Sequence, residues 1–208
     1  MSVQLYLSVT CIAVIVITVF AFLEIHKTSK EINKMDIELS DMCKMEKTIA
    51  SFYEKNKLKS ETSLEEIAEI LKVTWGDSSE SMQSQAALSD PDEKGIRKVI
   101  FKEGLSGETK RFVLAHECAH LINGDMDPLT RPLGKNKPKI EQLADYTAAA
   151  LLMPLNQIYQ YLEVNNYQST SKRRKIELVR ELCKTYKVSE IIAVRRIKEV
   201  YAVQRNLF

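Results

Sequence analysis

The string His116-Glu117-Cys118-Ala119-His120 limits what this chain can fold into more than any other feature. Residues four apart in an α-helix stand on one face, so a helix here turns both imidazoles toward one metal ion. Glu117 stands beside them, placed to take a proton from water rather than to bind the ion. The chain has three histidines and this motif uses two; the third, His26, is distant in sequence. A catalytic zinc site takes three protein ligands plus a water, so the missing ligand here must be a carboxylate.

The helix that carries the motif has legible ends. Ser106-Gly107-Glu108 opens it and Asn123-Gly124 closes it, a polar N-cap and a glycine C-cap. Leu114, Cys118 and Leu121 recur at helical spacing and form an apolar face turned away from the histidines. On that face Cys118 reads as a small buried hydrophobe rather than a ligand.

Glu141 is the candidate third ligand, within Glu141-Gln142-Leu143-Ala144-Asp145. Four residues apart on a helix, Glu141 and Asp145 share a face. One carboxylate can then bind zinc while the other hydrogen-bonds the far nitrogen of a ligating histidine. Two other readings compete. The pair is a solvated acidic face matched to Lys137 or Lys139, or Asp125 is the ligand, although Asp125 is more simply a loop residue past the helix cap. Zinc would bring the pKa of water toward about 7 and polarise a carbonyl. The resulting oxyanion needs a further donor, for which Tyr146, Tyr159 and Tyr161 are candidates that the sequence does not rank.

The N-terminal segment Ser2–Leu23 carries no charged residue. At about 1.5 Å per residue it crosses a hydrocarbon core of about 30 Å. A cleaved signal peptide would have a basic start and a shorter apolar run. Residues 1–24 are therefore expected to be a retained transmembrane anchor. Lys27, Lys30 and Lys34 follow it and no basic residue precedes it. The positive-inside rule then places the N-terminus outside and the rest in the cytoplasm of a single-pass cell-membrane protein. The four cysteines form no C-x-x-C pair, which excludes a zinc ribbon. Cys11 lies in the apolar segment, and the odd three left over suit a reducing compartment.

Past the anchor, residues 25–60 are expected to be a juxtamembrane helical linker. Ile32, Met35, Leu39 and Met42 form a weak heptad seam that Glu46 interrupts before Ile49. The seam fits either a weak homodimer through residues 32–49 or a helix packed on its own domain. Ser63-Leu64-Glu65-Glu66 is a capping box that starts a helix running to about Val73. A Ser-rich loop over Gly76–Gln85 leads to strands at Gln85–Leu88 and Ile96–Phe101 around the turn Asp90–Gly95. The second strand offers an extended polypeptide substrate a place to pair. Helices are expected at Ile140–Met153, Leu155–Asn165, Lys172–Lys184 and Ser189–Val203. With 45% hydrophobic and 28% charged residues, six glycines and five prolines, the composition favours a helix-rich globular fold. The domain expectation is a metallopeptidase core over residues 61–165 and a C-terminal helical region over 166–208.

Two blocks carry a resemblance. They are Arg111-Phe112-Val113-Leu114-Ala115-His116-Glu117-Cys118-Ala119-His120-Leu121-Ile122 and Ile140-Glu141-Gln142-Leu143-Ala144-Asp145-Tyr146-Thr147-Ala148-Ala149-Ala150-Leu151-Leu152-Met153-Pro154. In this order they resemble the ImmA/IrrE family of zinc metallo-endopeptidases, over about Leu64 to Val200, with a weaker echo from Tyr186 to Ile197. The resemblance implies one zinc ion held by His116, His120 and Glu141, with Glu117 as general base. It also implies cytoplasmic polypeptide substrates, often transcriptional repressors. The expected class is α+β and predominantly helical: a small zincin-like sheet, an active-site helix and a C-terminal helical bundle after one transmembrane helix.

The competing reading is a non-catalytic regulatory module that binds DNA or protein on the same fold. Tyr186–Ile197 has some helix-turn-helix character, and Lys172-Arg173-Arg174-Lys175 is a basic run that reads equally well as a solvated face. The net charge of +2 gives no general reason to expect nucleic acid.

Overall fold

The structure is a computed structural model that describes residues 37–78, 86–125 and 138–207. The apolar segment Ser2–Leu23 and the seam residues Ile32 and Met35 lie outside the described residues. Among the described residues no helix is long and apolar enough to cross a membrane. Residues Ile37–Phe208 form one compact unit.

Seven helices and three strands make up this unit among the described residues. In chain order they are α1 (Leu39–Lys55), α2 (Leu64–Ile70), β1 (Val73–Asp77), β2 (Ala86–Leu88), β3 (Arg97–Phe101), α3 (Gly107–Asn123), α4 (Lys139–Leu152), α5 (Leu155–Val164), α6 (Lys172–Tyr186) and α7 (Glu190–Leu207). The class is α+β and mostly helical, with a small sheet of order β1-β3-β2. Strand β3 pairs in parallel with β1 and antiparallel with β2. The β2–β3 connection folds as its sequence demands. The Asp92 carboxylate accepts from the Lys94 and Ile96 amides, and Gly95 takes the positive φ of 76° that closes the turn.

Strand β1 is a correction to the sequence reading. The Ser63 capping box forms as expected, with the Glu66 amide donating to Ser63 Oγ at 3.2 Å and the Ser63 amide to Glu66 Oε2 at 2.7 Å. The helix it starts stops at Ile70, and Lys72 at φ 57° turns the chain into β1 at Val73. Val73 is buried and pairs with Arg97. The gain there is non-local, because a hydrogen-bond ladder to β3 outweighs one more helical turn. A second correction concerns substrate pairing. Strand β3 has a neighbour on both sides, so it has no free edge to offer an extended peptide.

Two apolar clusters hold the unit together. The larger joins Leu64, Val73, Val99 and Phe101 to Leu114, Cys118, Ile158, Leu162, Leu182, Ile197 and Val200. The smaller gathers Ile37, Met42 and Met45 with Tyr146, Ala150 and Val203, with Leu39 and Ile49 packed against it. The described seam residues Leu39, Met42 and Ile49 therefore pack against their own domain. Glu46, which breaks the seam in sequence, has a buried partner. Arg196, with no exposed surface, donates to Glu46 Oε1 at 2.8 Å and to the Met153 carbonyl at 2.9 Å. Burial alone would lower the pKa of Arg196. The carboxylate of Glu46, together with Tyr146 and Glu199, raises it instead, so the charge is kept.

One face of α7 is packed into the core. Ala193, Arg196, Ile197, Glu199, Val200 and Val203 of α7 are all buried. In the basic run, Arg173 and Arg174 pair with Glu177, and Arg174 also with Glu181, so half of its charge is neutralised on its own helix.

Candidate metal centre

Helix α3 carries the motif, and its limits are those the sequence sets. Ser106 Oγ accepts from the Thr109 amide at 3.2 Å, and Gly124 ends the helix in the left-handed conformation at φ 84°. Every residue from Val113 to His120 is buried. The apolar face that includes Leu114 and Cys118 packs in the larger core as expected. The histidine face is also buried, against α4.

Small side chains make that approach close. Ala115 and Ala119 of α3 and Ala144 and Ala148 of α4 have no exposed surface and share one cluster. Each pair is spaced four residues apart, a flat stripe that lets the two backbones near each other. Glu141 lies in the first turn of α4, where the helix dipole favours a negative charge. From there it reaches both rings.

The geometry is that of a metal site. His116 Nε2 and His120 Nε2 are 3.1 Å apart. Glu141 Oε2 is 3.3 Å from His116 Nε2, and Glu141 Oε1 is 3.4 Å from His120 Nε2. A tetrahedral ion with bonds of about 2.0–2.1 Å has ligand–ligand edges of about 3.3–3.4 Å. Glu141, His116 and His120 are 2%, 3% and 8% exposed, so solvent does little to screen the group.

The outer nitrogens decide what these atoms can do. His116 Nδ1 lies 2.8 Å from Asp145 Oδ1, and His120 Nδ1 lies 3.1 Å from Asp125 Oδ2. A carboxylate only accepts, so each Nδ1 carries the proton and donates it, leaving each Nε2 with a lone pair turned inward. Two imidazole lone pairs and a carboxylate then face one point. A cation satisfies that arrangement, and imidazole with carboxylate suits a divalent transition ion. The donor set of His116, His120 and Glu141 fits the metal that the motif implies.

A family model described as the IrrE N-terminal-like domain, of a peptidase family, matches residues 77–198, more than half of the chain. This chain belongs to the ImmA/IrrE family. The match covers α3, α4, α5, α6 and the first half of α7, and so contains every residue of the candidate metal centre. No curated protein matches the chain.

Several sequence assignments come together at the IrrE-like site and others do not. His116, His120, Glu141 and Asp145 gather there, and Glu117, the next residue after His116, is 6% exposed. Lys139, offered as a partner for an acidic face, pairs instead with Asp41 of α1 at 2.8 Å. Asp125 follows the helix cap, as the sequence reads, and its carboxylate sits behind His120. Gly124 reverses the chain so that the Asp125 amide donates to the His120 carbonyl at 2.9 Å, which brings the side chain under the ring. A glycine C-cap followed by Asp is the signal that could have shown this.

Cys118 is fully buried, and its thiol is pushed up to about 12 by burial and by the Glu117 carboxylate, so it stays neutral and does not ligate. Two of the three tyrosines named as oxyanion donors have their hydroxyls bonded elsewhere. Tyr146 donates to Glu46 at 2.7 Å, Tyr161 donates to Glu181 at 2.6 Å, and Tyr159 packs edge-on against Tyr201.

Proposed function

We propose that this chain is a zinc-dependent endopeptidase, held at the cell membrane by residues 1–24, that cleaves a cytoplasmic protein, a transcriptional repressor being one candidate class. The observation that carries the reading is the convergence of His116, His120 and the Glu141 carboxylate, at 3.1–3.4 Å, with the buried acid Glu117 next to His116 in the chain. When bound, zinc supplies a lowered pKa for water and polarises the scissile carbonyl. His116, His120 and Glu141 hold it. Asp145 and Asp125 keep both rings in the tautomer that binds. Glu117 takes the proton from the attacking water and returns it to the leaving amine, the exchange that peptide hydrolysis requires. The membrane part of the proposal rests on the uncharged run Ser2–Leu23 followed by Lys27, Lys30 and Lys34.

The test uses the purified full-length chain and candidate repressor proteins. The expected result is one equivalent of zinc and cleavage of a repressor that stops on chelation. Glu117→Gln should keep the zinc and lose about 10²–10⁴-fold in rate. Cleavage that survives both chelator and Glu117→Gln would overturn the assignment.

A further inference from the structure

A file of alternating charges runs from the back of the metal centre to helix α1. Asp145 Oδ1 meets His116 at 2.8 Å, while its other oxygen, Oδ2, faces Arg195 Nη1 at 3.7 Å. Arg195 Nε donates to Glu199 Oε1 at 2.7 Å. Glu199 Oε2 faces Arg196 Nη1 at 3.8 Å, and Arg196 Nη2 reaches Glu46 Oε1 of α1 at 2.8 Å. Glu199 and Arg196 are buried, Asp145 nearly so, and Arg195 is about a third exposed.

We propose that Arg195 is a positioning residue of the metal centre, which holds the Asp145 carboxylate against His116. The proposal rests on the metal-centre reading above. A carboxylate fixed through one oxygen can still swing about its Cβ–Cγ bond. Asp145 has a different partner on each oxygen, a hydrogen bond to His116 and an ion pair with Arg195, and the two together restrict that swing. Arg195 suits the task because its planar guanidinium engages two carboxylates at once, Glu199 through Nε and Asp145 through Nη1. Glu199 in turn lies within ion-pair range of Arg196 at 3.8 Å, and Arg196 is itself held by the Met153 carbonyl and Glu46. The ring of His116 is thus braced by α7 and, at the end of the file, by α1. Groups behind a metal-binding histidine set its orientation and so the affinity of the site.

Zinc affinity of the full-length chain, measured by competition with a chromophoric chelator, tests this through a double-mutant cycle. Arg195→Met should weaken binding about 10-fold, and Asp145→Asn by about 10–100-fold. The double variant should bind no more weakly than Asp145→Asn alone, because Arg195 acts through Asp145. The visible bands of the cobalt-substituted protein should shift in Arg195→Met and not shift further in the double variant. If Arg195→Met does not fold, Arg195→Gln replaces it, with the same pattern expected at smaller amplitude. Unchanged affinity in a folded Arg195 variant, or losses that multiply in the double variant, would overturn the role of Arg195 alone. A wild-type chain that binds no ion would instead sink the metal-centre reading, and this proposal with it.

Discussion

Asp125 Oδ2 lies 3.1 Å from His120 Nδ1, on the side of the ring opposite the nitrogen that faces Glu141. The two histidines are therefore braced in the same way by acids from different places. Asp145 stands on α4 and Asp125 follows the end of α3. Asp125→Asn should weaken zinc binding about 10–100-fold while leaving one site per chain, as chelator competition would show. Loss of the site altogether would make Asp125 a ligand rather than a brace.

The alanine stripe between α3 and α4 sets how near Glu141 comes to the histidines. Ala148→Leu adds bulk at a position with no exposed surface. We expect about 1–3 kcal/mol of destabilisation in urea titration, with weaker zinc binding because the helices are forced apart. Destabilisation with normal zinc affinity would mean that the spacing does not govern the site.

Arg196 has no exposed surface and its guanidinium lies 5.3 Å over the Tyr146 ring, beside Glu46 and Glu199. Arg196→Ala leaves the buried Glu199 and the partly buried Glu46 without their shared partner. The expected cost is about 3–5 kcal/mol in chemical denaturation. A cost under about 1 kcal/mol, the range of an exposed pair, would contradict the burial described here.

Burial, with Glu190 and Glu108 nearby, pushes the Cys183 thiol up to about 11 from its usual 9.0. At pH 9 the native chain then holds roughly fifty-fold less thiolate at Cys183 than the unfolded chain, and alkylation followed by mass spectrometry should be slowed to match. Over the same window the native state keeps a proton that the unfolded state releases. Its contribution to stability is therefore full below about pH 9 and lost as pH rises toward 11. Replacing Cys183 with Ala should flatten that decline in the urea midpoint.

The reading of the chain by itself fixed whatever depends on neighbours within a turn or two. The ends of α3 follow from Ser106 and Gly124, the α2 cap from Ser63 and Glu66, and the shared faces of His116 with His120 and of Glu141 with Asp145 from helical spacing. These are local hydrogen bonds and fixed periodicities, so sequence distance stands in for spatial distance. Tertiary structure alone decided the rest. Strand β1 exists because β3, formed more than twenty residues later, supplies its ladder. The seam of α1 turned inward because Tyr146 and Val203 were there to meet it, and Glu46 tolerates burial because Arg196 lies beside it. Arg195 stands behind a metal ligand fifty residues away from Asp145 only once α7 docks. Each of these outcomes balances desolvation or lost local structure against a partner remote in the chain, and no local pattern records which partner arrives.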